Sequence, residues 1–142
     1  MPFFKNFSFF FSSEFYPSYE FDSLFDSARD YNASPRLLGC RSDLYLPVNT
    51  SSRLLITSTD VIHSFSLPSL GLKVDALPGR INQLFSNPSR VGLFFGQCSE
   101  ICGSNHSFMP ISVKVCRLLD FDSVGESYFL EELGSSFLPP LS

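Results

Sequence analysis

Four residues in one short run could ligate a soft metal. The run Gly96-Gln97-Cys98-Ser99-Glu100-Ile101-Cys102-Gly103-Ser104-Asn105-His106-Ser107-Phe108-Met109-Pro110 carries two thiols, an imidazole and a thioether in the spacing C-x3-C-x3-H-x2-M. That donor set suits copper. A zinc ribbon or finger more often shows C-x2-C with a second pair further along, and a redox dithiol shows C-x2-C near a βαβ pattern. Two bridging thiolates holding two coppers would want two imidazoles. The chain has one other histidine, His63, within a segment (59–65) that reads as a strand running into a loop. Taken alone, a methionine is usually core filler and a histidine is more often structural. Beside this loop, Met109 and His63 read as ligands.

Short strands must position the loop. The run 91–96 is a strand that delivers Cys98, and 109–115 alternates as it returns. Further upstream, 36–40 reads as a strand, and 44–48 leads into 52–58, read as a buried strand. The stretch 75–80 holds a Pro-Gly turn, 81–86 alternates, and 87–89 turns again. This spacing implies an all-β antiparallel sandwich or barrel with the ligands at one end. Gly96 and Gly103 answer tight backbone demands at the loop. The tail segment 122–134 reads as one short helix, with Asp122 or Ser123 capping its start and Val124 and Tyr128 facing the body.

A length of 142 residues fits one domain with a single core. The net charge of −4, with 17% charged residues, argues against nucleic acid as a partner and lets an acidic surface attract a basic one. Cys40 and Cys116 stand outside the ligand pattern. They read as buried thiols, with a disulfide left open. No stretch reaches the ~18 to 20 apolar residues of a membrane helix. Residues 1–13 are phenylalanine-rich with one charge and fit neither a signal nor a transit peptide. They read as a remnant of upstream sequence, or as a divergent segment that packs against something apolar.

Across 57–65, 68–83 and 92–110, and more loosely over 14–118, the chain resembles subunit 2 of cytochrome c oxidase. The resemblance implies a cupredoxin-like Greek-key copper A domain over 14–118, followed by a helix and tail over 119–142. It implies two coppers held by His63, Cys98, Cys102, His106, Met109 and the Glu100 carbonyl. The Glu100 side chain would reach a magnesium at the contact with the catalytic subunit. Tyr16, Glu20, Asp26 and Asp60 would form the docking surface for cytochrome c. The family's membrane helices do not occur in this sequence, which reads as incomplete, as a split subunit or as an anchorless form. The family's tryptophans before the copper domain are also missing, with Phe15 and Pro17 in their place, which bears on how electrons arrive.

The function implied is the electron-transfer part of a proton-pumping oxidoreductase. It would take electrons from cytochrome c and pass them to haem-copper subunit 1, which reduces oxygen to water. The implied location is the mitochondrial inner membrane facing the intermembrane space, or the periplasmic face in a bacterium. Contact with the membrane would come through the complex or through anchor helices. Two alternatives stand beside it. A nitrous oxide reductase predicts a large further catalytic domain and leaves 69–75 unexplained. A copper-insertion chaperone predicts a thioredoxin-like α/β fold, whereas the sequence shows strands without crossover helices.

Overall fold

The computed structural model describes residues 23–26, 35–104, 109–125 and 127. The described residues form seven strands: β1 (Leu44–Pro47), β2 (Ser52–Ile56), β3 (His63–Leu67), β4 (Leu72–Ala76), β5 (Asn82–Ser86), β6 (Gly92–Gln97) and β7 (Pro110–Cys116). A helix, α1, starts at residue 118. β7 lies between β1 and β6, parallel to the first and antiparallel to the second. β2 pairs with β5 and β3 with β4, both antiparallel. Inward side chains of the three-stranded sheet (Leu44, Leu46, Phe94, Ile111, Val113, Val115) meet Leu54, Ile56, Phe65, Leu67, Leu72 and Ala76 in one core. That is the two-layer arrangement expected of a β-sandwich.

β2 alternates rather than being buried throughout. Leu54 and Ile56 face the core, and Arg53 and Leu55 face out. β3 is buried along its whole length because β4 pairs with it and β6 packs on it. Small residues make that packing possible. A Cβ on Gly96 would stand 1.8 Å from the Ser66 carbonyl oxygen, so only glycine lets β6 come this close to β3.

Three further local readings change. Residues 59–62 are the loop and His63 opens β3, the reverse of a strand running into a loop. Side-chain bonds at Ser58 and Asp60 hold the backbone in a turn against the strand preference of Val61 and Ile62. The segment 36–40 is not a strand. Leu38 N–H bonds to Pro35 O, Leu37 takes φ 64°, and only Cys40 pairs, in an isolated bridge with Phe25. α1 begins four residues before Asp122, where Phe121 N–H bonds to Arg117 O. Ser123 is therefore no cap, and its hydroxyl bonds back to Leu119 O and Asp120 O inside the helix. Val124 is half-buried, while Tyr128 and the expected helix end lie outside the described residues. None of the four cysteines is in a disulfide. Cys40 and Cys116 are buried, with their sulfurs against Pro110 O and Leu46 O.

Candidate metal centre

The β6–β7 ladder ends at the pair Gln97–Pro110. One step further, Cys98 N–H bonds to Met109 O at 3.1 Å, so the two strands place Cys98 and Met109 side by side at the mouth of the loop. β3 supplies the third side. Ser99 N–H bonds to Ser64 O at 3.3 Å, which sets His63 beside Cys98. The loop then folds back. Gly103 takes φ +135°, a conformation that disfavours a side chain, and the Cys102 sulfur returns to the cluster.

Four side-chain donors converge. Cys98 Sγ lies 3.9 Å from His63 Nδ1 and 4.0 Å from Cys102 Sγ. Cys102 S–H donates to Met109 Sδ at 3.3 Å, and Cys98 S–H donates to the Glu100 carbonyl at the same distance. The ligand atoms of His63, Cys98 and Cys102 all lie within 4.8 Å of one another. Cys98, His63 and Met109 are almost fully buried, whereas Ile101 between the cysteines is 85% exposed. Three of the four donors are therefore shielded from solvent, while the loop between the cysteines is open to it. Metal–sulfur bonds of about 2.3 Å would fit between two sulfurs at this separation, so the residues present fit a soft metal ion without rearrangement of the strands. Burial, then the neighbouring Cys98, push the Cys102 thiol up to about 11.

His63 is held from behind. Its Nε2 lies 2.8 Å from Asp60 Oδ1. Burial works against the Asp60 charge, but bonds from His63, the Val61 backbone and Ser58 outweigh it and hold the carboxyl below the usual carboxylate range. Asp60 is thus joined to a candidate ligand, which its place in the sequence did not reveal. The signal was there in the interval of three residues between Asp60 and His63, short enough for a turn to bring the two together.

Of the residues singled out from the sequence, the structure gathers His63, Cys98, Cys102, Met109 and the Glu100 carbonyl. The Glu100 side chain is exposed. His106, Tyr16 and Glu20 lie outside the described residues. Asp26 is half-buried, with its backbone N–H on Gly39 O.

The profile of the family described as cytochrome C oxidase subunit II, periplasmic domain, matches residues 5–116. Cytochrome c oxidase subunit 2 of Rhipicephalus sanguineus is 54% identical over 103 residues, covering 72% of this chain and 46% of that protein. The Branchiostoma lanceolatum subunit is 48% identical over 132 residues, covering 86% and 55%. The chain spans about half the length of the curated relatives it matches. Among solved structures, the periplasmic domain of subunit II of cytochrome oxidase from Bradyrhizobium japonicum superposes with TM-score 0.74 at 42% identity, covering 80% of each chain. A mixed disulfide between a thioredoxin-like protein and subunit II of cytochrome c oxidase matches with TM-score 0.66 at 42% identity, covering 78% of this chain and 75% of that one. The sandwich with its short C-terminal helix is thus the cupredoxin-like fold expected from the resemblance. With a donor cluster suited to copper at its strand ends and a match running from residue 5 to residue 116, the chain belongs to the family of cytochrome c oxidase subunit II periplasmic domains.

Proposed function

We propose that this chain is the copper-bearing electron-transfer domain of a cytochrome c oxidase. It takes electrons from cytochrome c and hands them to the haem-copper catalytic subunit, which reduces oxygen to water. The observation that carries the reading is the meeting of His63, Cys98, Cys102 and Met109 within one buried corner. In this reading Cys98, Cys102, His63, His106, Met109 and the Glu100 carbonyl would together hold two coppers, the thiolates being shared and one imidazole serving each ion. When bound, such a pair supplies a one-electron store shared between two ions. The chain's own residues keep water away through burial of Cys98 and Met109, and they fix ligand positions through strand pairing rather than through the loop alone.

The Glu100 carboxylate, exposed beside the centre, is assigned to a magnesium shared with the catalytic subunit, since a hard ion takes oxygen ligands. Tyr16, Glu20, Asp26 and Asp60 are assigned to docking cytochrome c. Residues 14–118 form the copper domain, 1–13 precede it, and 119–142 carry the helix and tail. The domain faces the intermembrane space at the mitochondrial inner membrane, or the periplasm in a bacterium. Among the described residues no helix is long and apolar enough to cross a membrane. The solved mixed disulfide of a related subunit II with a thioredoxin-like protein supports a reductive step before metal loading. Cys98 and Cys102, oxidised to each other, would need two electrons from a dithiol to regain both thiols.

The test is metal analysis with optical and spin-resonance spectra of the copper-loaded chain. Two coppers per chain and one unpaired electron delocalised over both are expected. A single copper with an ordinary mononuclear signal would overturn the reading and favour a chaperone.

A further inference from the structure

The turn before β3 does more than connect strands. Asp60 Oδ1 lies 2.8 Å from His63 Nε2 and accepts a bond from Ser58 Oγ at 2.9 Å. The Ser58 hydroxyl shares its single proton between Asp60 Oδ1 and Val61 O, and its oxygen accepts from Asp60 N–H. One serine therefore ties both the side chain and the backbone of the turn. The turn is itself anchored, because Ser58 bridges to Pro78 and Thr57 Oγ1 donates to Leu77 O.

We propose that Asp60, locked by Ser58, is a positioning residue that selects the tautomer and orientation of His63 for metal. A neutral imidazole carries one N–H. With that proton on Nε2 and donated to the Asp60 carboxylate, Nδ1 keeps its lone pair and aims it at the cleft, 3.9 Å from Cys98 Sγ. The opposite tautomer would put a proton where a metal must bind and leave Nε2 and the carboxylate as two acceptors face to face. Ser58 acts at one remove by holding Asp60 Oδ1 in the line of the ring. The carboxylate is half-exposed, so it can meet a partner as well, but docking alone requires neither the bond to His63 nor the serine.

The inference rests on the metal-centre reading, and its test separates the two. The first measurement is ring-nitrogen NMR of the metal-free native chain and of Asp60→Asn, Asp60→Ala and Ser58→Ala. The native His63 is expected as the Nε2–H tautomer, with the Nδ1–H form growing in Asp60→Ala. The second is copper affinity by competition with a chelator. Losing a carboxylate behind a ligand histidine typically costs about 10 to 100-fold in affinity. That range is expected for Asp60→Ala, with smaller losses for Asp60→Asn and Ser58→Ala and recovery in Ser58→Thr. Asp60→Asn keeps size and shape, so it reads the effect even if Asp60→Ala is poorly folded. A native Nδ1–H tautomer would overturn the proposal. So would variants that change only the rate of reduction by cytochrome c while affinity and tautomer stay as in the native chain. A native chain that binds no copper but shows the Nε2–H tautomer, lost in Asp60→Ala, would overturn the electron-transfer function while supporting the positioning role.

Discussion

Replacing Gly96 by alanine is the sharpest test of how the fold holds the centre. The added Cβ would lie 1.8 Å from Ser66 O and 2.9 Å from the Ser66 carbonyl carbon, both backbone atoms that cannot rotate away. Contacts under 3.0 Å are essentially never made by real Cβ atoms, so β6 and β3 must separate by more than about 1 Å. Cys98 follows two residues later, one step past the end of β6, and moves away from His63, which opens β3. Overpacking of this kind costs about 1–3 kcal/mol, and the rigidity of both backbones puts Gly96→Ala at the upper end or beyond. Gly79→Ala is the control. Gly79 has φ +73° and nothing within 4 Å of its would-be Cβ, so only the left-handed backbone is penalised, by about 1 kcal/mol. Urea unfolding of the metal-free chains, followed by copper titration, reads both effects. Gly96→Ala should lower the midpoint far more than Gly79→Ala and should weaken copper binding, which the control leaves intact. Equal midpoints, or native copper binding in Gly96→Ala, would refute the claim that the close approach of β6 to β3 sets the ligand geometry.

Four further outcomes are expected. Cys98→Ser or Cys102→Ser should abolish the two-copper signal, because a hydroxyl does not replace a bridging thiolate, while Met109→Leu should keep both coppers and shift the midpoint potential measured by redox titration. Joint replacement of Cys40 and Cys116 by alanine should leave copper count and spectrum unchanged and cost about 1–2 kcal/mol in urea unfolding, since both are buried small hydrophobes that are not members of the donor cluster. In the metal-free chain the Cys102 thiol is raised from near 9 to about 11, so the folded state holds that proton more firmly than the unfolded one. Its contribution is complete below pH 9 and lost as pH rises towards 11, and urea midpoints across that window should fall less in Cys102→Ser. Reduction by cytochrome c should slow as salt rises and slow again in Tyr16→Ala, and stopped-flow rates indifferent to both would remove these residues from the docking surface.

Most of the centre was legible because its chemistry is written in nearly consecutive residues. Cys98, Cys102 and Met109 fall in one loop, and the strands on either side show themselves by an apolar run and by alternation. His63 was legible as a partner only by scarcity, as the other histidine of the chain. Its place at the head of β3 was not, because Val61 and Ile62 carry strand propensity and the bonds that overrule it come from Ser58 and Asp60. The α1 boundary failed for a related reason. Asp122 and Ser123 look like caps, yet in the structure Ser123 bonds backwards within a helix already begun at residue 118. Local propensity ranks such residues correctly in isolation and loses to whichever hydrogen bond the surrounding chain makes available.

The polar interior of β3 is where fold and site become one problem. Ser64 and Ser66 are buried in a strand that a core of this size would ordinarily fill with larger apolar side chains. Their neighbours explain them. Ser66 O is the atom against which Gly96 packs, and Ser64 O receives the N–H of Ser99, the residue after Cys98. The outer end of β6 is thus fastened to β3 through backbone atoms, with small residues on both strands to allow the approach. Bulk at these positions would add apolar burial and push the strands apart, moving a thiol and an imidazole that now stand 3.9 Å from each other. Two candidate ligands, one opening β3 and one a step past the end of β6, can be held at a fixed separation only if the strands themselves are. The small residues of β3 and β6 therefore belong to the metal centre as much as to the core.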